Sequence, residues 1–122
     1  MTVTLLGANE IRESATSLDL HPAKSLGQNF VIDANTCQKI VRLAVINRGD
    51  HVVEIGPGLG SLTLALLQAT DRVTAIEIDQ RLAHQLPITA GAHGVQEGQL
   101  TVINEDAMRV FEFPDAPTKL VA

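Results

Sequence analysis

Between Val52 and Gly60 the chain reads Val-Val-Glu-Ile-Gly-Pro-Gly-Leu-Gly, an apolar, β-branched run that gives way to three glycines at alternate positions. Such a run forms a buried parallel strand, and the pattern Ser61 to Gln68 that follows has helical spacing. Gly56, Gly58 and Gly60 remove the side chains that would hold a ligand away from the backbone. The helix start aims free N–H groups and a positive dipole end into the same space. The rest of the chain is organised around this strand, glycine turn and helix.

Two ligand classes use such a turn. The dinucleotide fingerprint is Gly-x-Gly-x-x-Gly, whereas this chain has Gly-x-Gly-x-Gly with Glu54 two residues before the first glycine. That form resembles motif I of the S-adenosylmethionine-dependent methyltransferases. A nicotinamide or flavin nucleotide is the second candidate ligand, and a purely structural turn the third.

The 122 residues make one domain at most, short for a complete doubly wound enzyme. With no transmembrane run, no signal-peptide pattern and one cysteine, the expected setting is cytoplasmic. Cys37 sits among apolar residues of a predicted helix and reads as core packing. The net charge of -5 argues against strong nucleic-acid binding by this stretch alone. Residues 1–48 hold five Lys/Arg against four Asp/Glu and residues 49–122 four against ten, so a polyanion would meet the N-terminal segment or parts of a protein outside this chain. Three Phe, with no Trp or Tyr, leave little on which bases could stack.

Residues 1–7 carry no pattern and are expected to fray. A helix is predicted from Asn9 as cap, with Ile11, Ala15 and Leu18 on one face, ending before Pro22. His21 to Phe30 reads as an ordered loop. Asp33 caps a second helix whose buried stripe is Ile40, Val41, Ala44 and Val45. Strands follow at 51–55, 73–76 and 100–103, with a clipped fourth at 119–122. Helices are predicted from Ser61 and from Asp79, with Leu82 and Leu86 inward and an end or kink at Pro87. A Gly-rich loop spans 90–99, and a short helical turn runs from Ala107 to Val110. This alternation predicts an α/β fold, a parallel sheet with right-handed crossovers in the order 3-2-1-4. Ligand would bind over the carboxyl ends of the strands, where the order switches between strands one and four.

Glu77 ends the second strand, 21 residues after Gly56, where a nucleotide fold places the carboxylate that accepts both ribose hydroxyls; the alternative is a solvated turn. Asp79 suits a helix cap better than a ligand contact. Asp106 could accept from the exocyclic amine of an adenine while the N–H of Ala107 donates to a ring nitrogen, and the same carboxylate can cap the turn that follows. Glu54, inside an apolar strand, needs hydrogen bonds, expected from the backbone of the glycine turn or the N-terminal loop. His21, His51, His84 and His93 show no metal-ligand spacing, and no Ser/His/Asp or paired-carboxylate arrangement is readable.

Lys24-Ser-Leu-Gly-Gln-Asn-Phe30, Glu54-Ile-Gly-Pro-Gly-Leu-Gly-Ser-Leu-Thr63, Ile76-Glu-Ile-Asp79 and Glu105-Asp-Ala107 together resemble the N-terminal part of the ribosomal RNA adenine dimethyltransferases. Pro57, Leu59 and the Gly-Gln-Asn-Phe run favour the small-subunit housekeeping branch over the erythromycin-resistance branch. The resemblance implies a partial Rossmann-like class I methyltransferase fold truncated before its later strands. Residues 1–32 would be an N-terminal helix and cofactor-covering loop, and residues 33–122 an incomplete S-adenosylmethionine-binding domain without the RNA-binding C-terminal domain. Gln28, Asn29 and Val31 would lie along the methionine end of the cofactor with Gly56 beside it. Glu77 would hold the ribose, Ile78 pack on the adenine and Asp106 read its amine.

The family's catalytic motif, Asn-Leu-Pro and an aromatic residue, follows the fourth strand and grips the flipped target adenine. The expectation is therefore an inactive N-terminal fragment, stopping at Leu120-Val-Ala122 where that motif would begin. Its parent would dimethylate two adjacent adenines near the 3′ end of small-subunit ribosomal RNA, in the immature 30S subunit, with no membrane and no metal partner. The rivals are another methyltransferase of the same fold and a non-catalytic nucleotide-binding module.

Overall fold

Four strands, β1 (His51–Ile55), β2 (Arg72–Ile76), β3 (Leu100–Ile103) and β4 (Lys119–Val121), form one parallel sheet in the order β3-β2-β1-β4. The computed structural model describes residues 2–19, 33–110, 112–113 and 116–122. Register is continuous across the centre: Val52 lies beside Val73 and Val73 beside Leu100, while Glu54 lies beside Ala75 and Val121. Because side chains alternate along a strand, these residues share one face. That face carries the core, in which Val52, Val73, Leu64, Leu66 and Leu67 are buried with Cys37 and Val41.

Helices α3 (Ser61–Ala69) and α4 (Gln80–Ala92) are the crossovers between β1, β2 and β3, and α2 (Ala34–Leu43) packs on α3. Lying between the sheet and α2, α3 is apolar nearly all round, with Thr63 through Leu67 buried. Each large side chain so buried contributes about 1.5–3 kcal/mol. Asp33 Oδ1 accepts from the Thr36 N–H at 2.7 Å and caps α2 as expected. Cys37 is fully buried at the α2–α3 seam, consistent with packing.

The structure departs from the expected elements in four places. Residues 2–7 are not frayed: Val3 and Leu6 are buried, the Thr4 N–H donates to the His93 carbonyl at 2.9 Å, and Gln68 donates to the Val3 carbonyl at 2.9 Å. An extended strap held by partners more than sixty residues away has no periodicity to read. Helix α1 (Ala8–Ser17) begins two residues early, with Gly7 at its cap, and Asn9 accepts from the Arg12 guanidinium instead of capping. Helix α2 stops at Leu43, and Val45, at φ 53° and 62% exposed, turns away from the stripe assigned to it. Helix α4 neither ends nor breaks at Pro87 and runs on through the first residues of the predicted loop to Ala92. A proline inside a helix costs about 3 kcal/mol; here Leu86, Thr89 and Ala90, buried around it, hold both halves down.

Candidate functional site

Directly after β1 the backbone turns through three left-handed glycines, Gly56 at φ 72°, Gly58 at 59° and Gly60 at 102°. A non-glycine residue pays strain there, so the turn depends on these residues. A Cβ placed on Gly56 would meet nothing within 4 Å, so open space lies above it. A Cβ on Gly60 would lie 2.7 Å from Leu86 Cδ1, because here the turn packs against α4. Helix α3 then starts with no side-chain cap and no acidic residue in its first turn, and the Ser61 hydroxyl is buried with no hydrogen-bond partner among the described residues. Its positive end therefore opens at the carboxyl ends of the strands with no cap from its own first turn.

Glu77 stands at the tip of β2, only 6% exposed, where its N–H extends the ladder to the Ile103 carbonyl at 2.9 Å. Its Oε1 accepts from the Gly58 N–H at 3.1 Å and its Oε2 from the Asp79 N–H at 3.0 Å. The carboxylate is thus set by backbone on both sides. Two N–H donors use about half of its acceptor sites and leave the rest for a pair of hydroxyls.

Asp79 is a helix cap: Oδ1 accepts from the N–H groups of Arg81 at 2.8 Å and Leu82 at 3.2 Å. The side-chain bond from Arg81 is the main reason its carboxyl is held below the usual range. Ile78, between the two carboxylates, is 69% exposed beside the same tip. Asp106 Oδ1 accepts from the Met108 N–H at 3.0 Å, capping the 3-10 turn that opens at Ala107. Gly56, Gly58, Glu77, Ile78, Asp106 and Ala107 all stand at the carboxyl ends of β1, β2 and β3, the end of the sheet expected for ligand. Gln28, Asn29 and Val31 lie outside the described residues.

The glycine-turn half of the Glu54 expectation needs correction: among the described residues its hydrogen bond comes from the Thr63 hydroxyl on α3, which donates to Oε1 at 2.5 Å. The N-terminal-loop half lies outside the described residues. Glu54 points to the helix face of the sheet, so the side chain beneath the turn reaches it before the turn itself does. Burial raises its pKa to about 7; the Thr63 bond opposes that rise and the Glu77 charge adds to it.

Asn104, which the sequence did not single out, closes the far side. Its Nδ2 donates to the carbonyls of Glu77 at 2.9 Å and Ile78 at 3.2 Å, pinning the tip of β2 to the tip of β3. The only signal was an amide one residue past an apolar strand. Two histidines have structural work: His51 Nε2 pairs with Thr74 Oγ1 at 2.7 Å, and His93 lies between Thr4 Oγ1 at 2.8 Å and Glu10 at 2.6 Å.

Taken chemically, the crevice offers an oriented carboxylate for vicinal hydroxyls, an exposed aliphatic side chain beside it, an open approach to bare backbone and several negative charges. Such a set suits a nucleoside that carries a positive charge. Residues 21–120 match the family described as ribosomal RNA adenine dimethylase. The chain is 55% identical over 125 residues to ribosomal RNA small subunit methyltransferase A of Mycolicibacterium vanbaalenii, a match that covers 100% of this chain and 40% of the relative. Among solved structures, a dimethyladenosine transferase from Plasmodium falciparum superposes with a TM-score of 0.60 at 32% identity, over 68% of this chain and 29% of that one. The 23S rRNA methyltransferase ErmE does so at 0.60 and 33% identity, over 71% and 34%. The chain spans about 40% of the length of the curated relatives it matches.

Proposed function

Because this chain belongs to the ribosomal RNA adenine dimethylase family, we propose that it forms the methyl-donor half of an enzyme that uses S-adenosylmethionine to methylate adenines of small-subunit ribosomal RNA. The observation that carries this reading is the Glu77 carboxylate, fixed by the N–H groups of Gly58 and Asp79 at the mouth of the glycine turn. When bound, the donor supplies an activated methyl on a sulfonium. Glu77 takes the two ribose hydroxyls, Ile78 covers one face of the adenine, and Asp106 with Ala107 reads its edge. Gly56 lets the methionine end lie against backbone. Glu54 stays behind the turn and holds α3 to β1 through Thr63.

The target would be the exocyclic amines of two adjacent adenines near the 3′ end of the RNA, in the immature 30S subunit. With the methyl already activated, alignment and exclusion of water matter more than a strong base. The groups that grip the target adenine belong to the Asn-Leu-Pro-aromatic motif, which does not occur in these 122 residues. This chain alone therefore binds donor without turnover.

Calorimetry with S-adenosylhomocysteine tests the donor half: wild type binds, and Glu77→Ala loses roughly 10- to 100-fold in affinity with the charge-assisted bonds it removes. Equal heats from both place the nucleoside elsewhere, as a binding module of another kind would. A methylation assay on immature small subunits, this chain beside a full-length relative, tests the rest, and turnover by this chain alone refutes the location of the target-gripping residues.

A further inference from the structure

The end of α1 and the carboxylate that would orient the donor's nucleoside are joined by one side chain, Arg81. Its Nη1 donates to the Leu18 carbonyl, the C-cap of α1, at 3.0 Å, and its Nη2 donates to Asp79 Oδ2 at 3.2 Å. Asp79 in turn presents its own N–H to Glu77 Oε2, and Glu77 Oε1 receives the Gly58 N–H. An unbroken polar chain thus runs from the C-cap carbonyl of α1 through Arg81, Asp79 and Glu77 to the glycine turn.

Two features make this more than a surface contact. The guanidinium is a planar fork whose N–H groups can serve two acceptors in fixed directions, which an ammonium point charge cannot do as well. Its two acceptors are a helix-terminal carbonyl, otherwise unsatisfied within α1, and the carboxylate that caps α4. Losing the fork releases the end of α1 and, at the same time, the outer oxygen of the carboxylate that caps α4.

We propose that Arg81 is a positioning residue for the methyl donor: it couples the docking of α1 to the set of Glu77, so that an undocked α1 loosens the ribose carboxylate. The donor part rests on the function proposed above; the coupling between α1 and the strand tip does not. Arg81 touches neither the nucleoside nor the reacting atoms, and its effect passes through Asp79.

Amide hydrogen exchange and calorimetry with S-adenosylhomocysteine on wild type, Arg81→Met and Arg81→Lys test it. The Met variant keeps the aliphatic stem and so the packing of a half-exposed side chain. In Arg81→Met the amides of the last turn of α1 and those of Gly58 and Asp79 should exchange faster together, with donor affinity down roughly three- to tenfold, the scale of one hydrogen bond to a charged group. Arg81→Lys, whose single nitrogen cannot reach both acceptors as the two guanidinium nitrogens do, should recover part of both effects. Faster exchange confined to α1, with Gly58, Asp79 and donor affinity unchanged, overturns the proposal, and so does no change anywhere. Should wild type give no heat with S-adenosylhomocysteine, the donor reading fails, while joint or separate exchange at α1 and the tip still decides the coupling.

Discussion

Thr63 and Glu54 meet inside the molecule, the hydroxyl of one donating to the carboxyl of the other at 2.5 Å, with both residues buried. This bond ties α3 to β1 directly beneath the glycine turn. Burial of that carboxyl also makes stability depend on pH near neutrality.

Glu54 has a folded pKa of about 7 against an ordinary value of 4.5, so between these pH values the folded chain holds a proton that the unfolded chain has released. Stability therefore falls as pH rises through this window, by at most about 1.4 kcal/mol per pH unit and about 3 kcal/mol in all. Asp33, Asp50 and Asp79, whose carboxyls are shifted down from 3.8, act on the acid side of the window. Urea unfolding of Glu54→Gln across pH 4.5 to 8 should lack this loss, so the gap to wild type moves in the variant's favour as pH rises. Parallel curves would mean that Glu54 is ionised in the folded chain throughout.

The glycine turn separates stability from ligand access. At Gly60, with φ 102° and a Cβ position 2.7 Å from buried Leu86, alanine should cost about 2–4 kcal/mol. At Gly56 a Cβ meets nothing within 4 Å, so alanine costs only the left-handed strain of about 1–2 kcal/mol, yet it projects a methyl into the crevice. Urea midpoints should drop more for Gly60→Ala, and affinity for S-adenosylhomocysteine per folded molecule more for Gly56→Ala. The reverse order would move the ligand off the turn.

What could be read from the residues follows physical range. The strands and their order were legible because β-branched runs and right-handed crossovers are local or near-local rules, and β1 and β3 fall at 51–55 and 100–103 as predicted. That Glu77, Asp79 and Asp106 follow the ends of β2 and β3 was legible because it depends only on where the apolar runs stop. Side-chain contacts between elements were not. Thr4 with His93, Glu54 with Thr63 and Asn104 with the Glu77 carbonyl depend on register and packing, which no pattern of neighbours encodes. Pro87 misled for a related reason: its local penalty is real, but the burial of Leu86 and Ala90 around it outweighs a single lost hydrogen bond.

His93 holds the N-terminal strap. Its carbonyl accepts from the Thr4 N–H, its Nδ1 pairs with Thr4 Oγ1 and its Nε2 with Glu10 on α1. His93→Ala removes both ring contacts from a side chain about 10% exposed and should destabilise by about 1–3 kcal/mol. The Thr4 amide should exchange faster while amides of β1 and β2 keep their order of protection, because those strands are paired on both sides. Uniform acceleration across the sheet would make the strap part of the global unfolding unit.

Asn104 gives the most selective test of the proposed donor site, because its side chain is exposed while its partners are the carbonyls of Glu77 and Ile78 at the tip of β2. An exposed amide contributes little to global stability, so Asn104→Ala should move the urea midpoint by less than about 1 kcal/mol. Its two bonds nevertheless decide where the Glu77–Ile78 peptide sits relative to β3, and with it the side chains on either side. Donor affinity should fall roughly 3- to 30-fold, one to two hydrogen bonds' worth of lost orientation. Asn104→Asp separates position from bonding: it keeps the shape but sets an acceptor against two carbonyl acceptors, and should bind S-adenosylhomocysteine more weakly than the alanine variant. If alanine and aspartate both bind as wild type does, the ladder bond to Ile103 and the N–H groups of Gly58 and Asp79 are enough to set Glu77, and the Asn104 amide adds nothing to donor binding.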